Sequence, residues 1–126
     1  MIYGIGTDIC AVARMERLHR RYGDKVVRRI LTPAEQGDLA RAAAPERLLA
    51  KRFAAKEAFG KAIGTGIRPP VTLRNVGVGH DARGKPILEY APALAEVMRA
   101  RRLQAHVSIS DEVDFAVAFV VIEQET

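Results

Sequence analysis

The chain has no tryptophan, and its three tyrosines and four phenylalanines make up only 6% of 126 residues. They do not interleave along an expected sheet as base-stacking aromatics do, which argues against a nucleic-acid-binding platform. A single cysteine, Cys10, excludes an internal disulfide and suits a reducing compartment. No stretch approaches the roughly 20 apolar residues that cross a bilayer. The start, MIYGIGTDI, has neither the basic cluster nor the apolar run of a secretory signal. A cytoplasmic protein with no membrane contact is the expectation. Familiar nucleotide and hydrolase signatures are missing as well. GIGTD lacks the third glycine of GxGxxG, Gly64-Thr65-Gly66 is no part of GxxxxGK[ST], and no serine lies in GxSxG.

What is present is basic charge and enough apolar residues for one core. Twenty Lys and Arg against 15 Asp and Glu give +5 at pH 7. That balance favours an acidic partner, whether nucleic acid, phosphorylated small molecule or protein, without choosing among them. With 48% apolar residues and no repeat or linker, residues 1–126 read as one domain. Ile2, Tyr3 and Ile5 begin a strand that ends at GTDI. Val12, Met15, Leu18, Tyr22 and Val26 share a helical stripe over 12–28, which Gly23 weakens or ends early. Thr32-Pro33-Ala34-Glu35 opens a short helix towards Ala44, with a capping threonine, a first-turn proline and a capping-box glutamate. Pro45 opens a long helix to about Ile63, stopped by Gly64 and Gly66. After an irregular stretch over 67–75 come strands at 76–78 and 87–90, a helix from Pro92 to about Arg102, and strands at 106–110 and 115–122. The strongly apolar last strand reads as central. This order is α+β, with one long helix and a mainly antiparallel sheet.

Charge interrupts the long helix at Arg52, Lys56, Glu57 and Lys61, among Leu48, Leu49, Phe53, Phe59 and Ile63. The plainest account of Glu57 and Lys61 is an i,i+4 surface pair, and that of Asp8 a cap for the following helix. Carboxylates from two elements could instead hold Mg²⁺, which takes oxygen ligands and leaves positions to water and phosphate. The GTG turn is either a helix stop or a close approach to phosphate. Arg14, Arg17 and Arg21 form one arc of the first helix, which is a solvated face or a dock for an acidic partner. His106, Ser108 and Ser110 alternate to one side of a strand. His106 therefore suits an edge or core role better than a triad with Ser108.

Taken in order, GIGTDI at 4–9 with Arg14, FAAKEAFGKAIGTG at 53–66, GKP at 84–86 and HVSIS at 106–110 followed by FAVAFVVIE resemble the short 4′-phosphopantetheinyl transferases, the holo-acyl-carrier-protein synthases. The similarity runs from Met1 to Glu123. It implies a compact domain of that type, active in fatty-acid biosynthesis. The reaction would be Mg²⁺-dependent transfer of 4′-phosphopantetheine from coenzyme A to a serine of apo-acyl carrier protein, releasing adenosine 3′,5′-bisphosphate. By the resemblance, Asp8 and Glu57 are the metal ligands and Lys61 approaches the coenzyme pyrophosphate. Arg52 and His106 lie near its phosphate groups, with Gly64 in the phosphate-side turn and Gly84 and Pro86 near the adenine end. Arg14 and Arg21 meet the carrier, and three copies form a trimer with clefts between neighbours. Asp111 stands where many members have histidine; there it could orient a metal-bound water or assist proton removal. Two other readings remain open on the residues alone, a basic nucleic-acid-binding module and a non-catalytic carrier-binding protein.

Overall fold

A computed structural model describes residues 1–126. The first strand, β1 (Ile2–Ala11), leads into α1 (Val12–Tyr22), α2 (Asp24–Ile30), α3 (Pro33–Ala40) and the long α4 (Pro45–Ile63). Then come β2 (Val76–His80), β3 (Pro86–Tyr90), α5 (Pro92–Ala100), β4 (Leu103–Asp111) and β5 (Phe115–Gln124). The helical stripe over 12–28 is thus two helices. Gly23, at φ 56° and ψ −129°, breaks it in a backbone conformation that side-chain-bearing residues avoid. The capping box forms as expected: Glu35 N donates to Thr32 Oγ1 at 3.3 Å, and Thr32 N to Glu35 Oε1 at 2.9 Å. That helix stops at Ala40, short of Ala44, and α5 stops at Ala100, short of Arg102. Gly64 ends α4 in the left-handed region at φ 94°.

The strands form two antiparallel sheets, a three-stranded one in the order β1-β5-β4 and the separate hairpin β2-β3. β5 is central, and its apolar sequence divides between two faces. Ala116, Ala118, Val120 and Ile122 are buried against α4, which lies across the inner face of the sheet. Phe115, Val117 and Phe119 look outward and stay exposed, flanked by Ile5 and Ile9 of β1. Periodicity alone reads such a strand as buried on both sides, whereas here only one side is covered. Met15, Leu31, Leu49, Phe59 and Leu94 complete a single core. No helix is long and apolar enough to cross a membrane.

Candidate active site

Asp8 lies within β1, three residues from its end. The N-cap of α1 is Ala11, with no side-chain bond, so Asp8 is not a helix cap. The inner row of β1 reads Gly4, Gly6, Asp8, Cys10, and it faces α4. From α4, Lys61 Nζ donates to the Asp8 carboxylate at 3.1 Å and to the Thr7 carbonyl at 2.8 Å. Lys61 therefore pairs across to the strand and forms no ion pair with Glu57, its i−4 neighbour. Glu57 is half-buried. Burial pushes its carboxyl above the ordinary range, and the nearby Asp8 charge pushes it further, opposed by Lys61 and Arg14. The site therefore gathers two carboxylates and an ammonium at one seam. Thr7 contributes through its carbonyl, which no side-chain pattern could announce. Cys10, next in the row, is buried, and burial raises its thiol, which makes it a core residue rather than a nucleophile.

No group of three or more His, Cys, Asp and Glu exists that could enclose a metal. The donor set nevertheless fits a hard dication. Asp8 and Glu57 supply oxygen, their mutual repulsion is what a cation relieves, and Mg²⁺ is commonly held by one or two carboxylates with water and phosphate completing the shell.

Other expected site residues are separated from this seam. Arg52 lies nine residues before Lys61, about two and a half turns, hence on the opposite side of α4. Its side chain is only 6% exposed, with Nε 3.5 Å from Glu35 and a terminal nitrogen 3.6 Å from Asp38. Its Nε makes no hydrogen bond. Arg52, expected near the coenzyme phosphates, is thus held by internal carboxylates on the side of α4 away from Lys61. Lys56, on the same side, donates to Glu35 Oε1 at 2.5 Å and to the Ile30 and Leu73 carbonyls at 2.5 and 2.7 Å. Desolvation lowers its pKa despite the raising influence of Glu35.

Strand pairing sets Asp8 opposite Ala118 and Ala118 opposite Ile109. The intervening strand thus separates β4 from β1 by roughly 10 Å. His106 is exposed on the outer face of β4, 2.9 Å from Glu123, and within one chain it faces away from Asp8. Asp111 closes β4 and lies 3.4 Å from Arg47 of α4, in an open cavity of about 860 Å³ that includes Ser110 and Phe115. Arg47 was not singled out by sequence, since its partner is 64 positions away. Gly84 and Pro86 sit at the tip of the β2-β3 hairpin, Gly84 with φ 83°. Arg14 stacks its guanidinium 5.1 Å from the centre of the Phe53 ring and borders a cavity of about 510 Å³ whose floor includes Met15, Leu18 and Leu73 and whose rim includes Lys25 and Arg29. Arg21 lies over Tyr22 at 5.4 Å.

A family profile, the 4′-phosphopantetheinyl transferase superfamily, matches residues 4–120. The chain is 58% identical over 123 residues to a holo-[acyl-carrier-protein] synthase of Dechloromonas aromatica, covering 98% of both. Its fold superposes on the crystal structure of the Neisseria meningitidis holo-[acyl-carrier-protein] synthase with a TM-score of 0.95 at 51% identity, covering 98% of this chain and 100% of that one. A Bacillus anthracis holo-(acyl-carrier-protein) synthase, solved in complex with CoA (3′,5′-ADP), matches with a TM-score of 0.83 at 39% identity over 99% of each. On sequence, fold and length together, the chain belongs to the 4′-phosphopantetheinyl transferase superfamily and, within it, to the holo-[acyl-carrier-protein] synthases, enzymes that transfer 4′-phosphopantetheine from coenzyme A to acyl carrier protein.

Proposed function

We propose that the transfer is Mg²⁺-dependent and takes place at the Asp8–Glu57–Lys61 seam. The observation that carries this reading is the meeting of two carboxylates and one ammonium from facing elements, with Glu57 left unpaired. Asp8 and Glu57 would hold the ion, which supplies charge neutralisation at the reacting phosphate. Lys61, exposed and carried on a flexible type of stem, turns its ammonium to the coenzyme pyrophosphate as a point charge. The turn at Gly64 lets the chain pass close behind those phosphates. A serine hydroxyl of the carrier attacks phosphorus. The new serine–phosphate bond forms as the pyrophosphate oxygen bond breaks, and adenosine 3′,5′-bisphosphate leaves. The serine proton passes to a base, for which Asp111 is a candidate. Positioning and electrostatics suffice, without a covalent enzyme intermediate.

Arg14 and Arg21 face the acidic carrier in this reading, and the apolar floor beside Arg14 suits a mixed charged and apolar contact. Gly84 and Pro86 meet the adenine end. The uncovered outer sheet face, with Ile5, Ile9, Phe115, Val117 and Phe119, suits burial against further copies, as a homotrimer would provide. That assembly would also bring the outward His106 to a neighbour's coenzyme. The single cysteine is consistent with action in the cytoplasm. The test is incubation of the purified chain with Mg²⁺, coenzyme A and apo-acyl carrier protein, followed by weighing the carrier by mass spectrometry. A gain of one phosphopantetheine, abolished by chelator and by Asp8→Ala, is expected. Modification that survives both would remove the metal and Asp8 from the mechanism.

A further inference from the structure

Three observations meet where β1 crosses α4. A Cβ built on Gly6 would lie 2.1 Å from the Ala58 carbonyl oxygen, 2.8 Å from Ala62 N and 2.9 Å from Lys61 Cβ. One on Gly4 would lie 1.9 Å from the Ala62 carbonyl oxygen. The nearest obstructing atoms are backbone, so no rotamer change relieves the overlap. Strand and helix would have to part until carbon and oxygen stand at their ordinary contact of roughly 3.3 Å, a shift on the order of 1 Å. Second, the helix side of the seam is small too, with Ala54, Ala58 and Ala62 buried there. Third, the turn of α4 that Gly6 touches is the one bearing Lys61, with Glu57 immediately before Ala58. Asp8 is the next inward residue of the strand. Its carboxylate has a single methylene of reach, yet it meets Lys61 at 3.1 Å.

We infer that Gly6 is a positioning residue for the reaction: by letting the β1 backbone lie directly on α4, it sets the gap that a one-methylene carboxylate at position 8 shares with Glu57 and Lys61. This role rests on Asp8 and Glu57 as the cation ligands proposed above. Mn²⁺, a hard cation with similar oxygen-ligand preferences, provides a readout independent of turnover. Its binding to the full-length protein is followed by the paramagnetic resonance signal of free Mn²⁺. Gly6→Ala should lose about 10- to 100-fold in Mn²⁺ affinity, the scale seen when groups supporting metal ligands are removed. Leu94→Ala, at a fully buried position on α5 away from the seam, should lower the melting temperature yet keep the Mn²⁺ affinity. The double variant Gly6→Ala/Asp8→Glu should recover affinity, because one further methylene crosses the widened gap.

A folded Gly6→Ala protein with unchanged Mn²⁺ affinity overturns the role, and so does a loss that Asp8→Glu does not repair. Should Gly6→Ala fail to fold, Asp8→Glu alone decides on an undisturbed seam. Its longer carboxylate should overshoot and weaken Mn²⁺ binding at least about tenfold, and unchanged affinity overturns the role. Asp8→Ala with unchanged Mn²⁺ affinity would instead remove the cation assignment, and the positioning role with it.

Discussion

On one side of α4, Lys56 meets Glu35 at 2.5 Å with both side chains sealed from solvent; on the other, Lys61 meets Asp8 at 3.1 Å with its side chain 55% exposed. The charges are alike, but the completeness of bonding differs. Lys56 spends its three protons on Glu35, Ile30 and Leu73. Glu35 also accepts from the backbone of Thr32 and Val78. This cluster ties α2, α3, β2 and the 67–75 loop to α4, and the Lys56 ammonium has no proton left for a ligand. At the other cluster Glu57 has no partner, and Asp8 accepts only from Lys61. Saturated polar groups hold a fold together, and unsaturated ones at a surface seam are free to take a cation and a phosphate.

Breaking the sealed cluster should give the largest effect. Lys56→Met leaves the buried Glu35 carboxylate with only the longer Arg52 contact at 3.5 Å and should cost up to about 3–5 kcal/mol of stability, read from urea melts. Adding Glu35→Gln removes the under-neutralised charge while keeping an acceptor for the capping box, and part of the loss should return. A double variant no more stable than Lys56→Met would mean that Lys56 acts through its two carbonyl contacts instead.

Breaking the open cluster should invert the pattern. Lys61→Met should change stability by no more than about 1 kcal/mol, yet slow single-turnover transfer on the order of 10²-fold, the scale of a lost transition-state donor. The defect should persist with saturating carrier. Full activity with a large fall in melting temperature would make Lys61 a structural partner of Asp8.

The smallest effect sharpens the contrast through pH. Burial, then the Asp8 charge, raises the Glu57 carboxyl above 4.5. Between 4.5 and that raised value the folded chain holds a proton the unfolded chain has released. The associated stability is complete below the unfolded value and is lost as pH rises through the folded one. Glu57→Gln, neutral throughout, should therefore melt higher than the parent at neutral pH in chelated buffer. The advantage should vanish in acid. An advantage constant across pH would separate it from Glu57 ionisation.

Much of this was legible in the residues. Thr32-Pro33-Ala34-Glu35, Pro45 and Gly64 mark helix ends through local bonding and backbone preference, and the structure places those ends accordingly. The order of motifs from GIGTDI to HVSIS was enough for family and reaction. Less legible was the split at Gly23, because the apolar stripe continues in phase across it. Glu35 showed only as a capping residue. Its second task needs Lys56, 21 positions on, and nothing local signals that.

Spacing, caps and alternation act within a few residues, so the sequence by itself determined the elements, the motifs and the presence of charge along α4. Which cation meets which carboxylate was decided only by tertiary packing. Arg52, Lys56, Glu57 and Lys61 lie within ten consecutive positions, yet α3 and β2 enclose the first two, while the glycine-lined β1 meets the seam that bears the others. An ion pair depends on distance and desolvation, and for Asp8 and Lys61, 53 positions apart, both exist only once strand and helix are packed together.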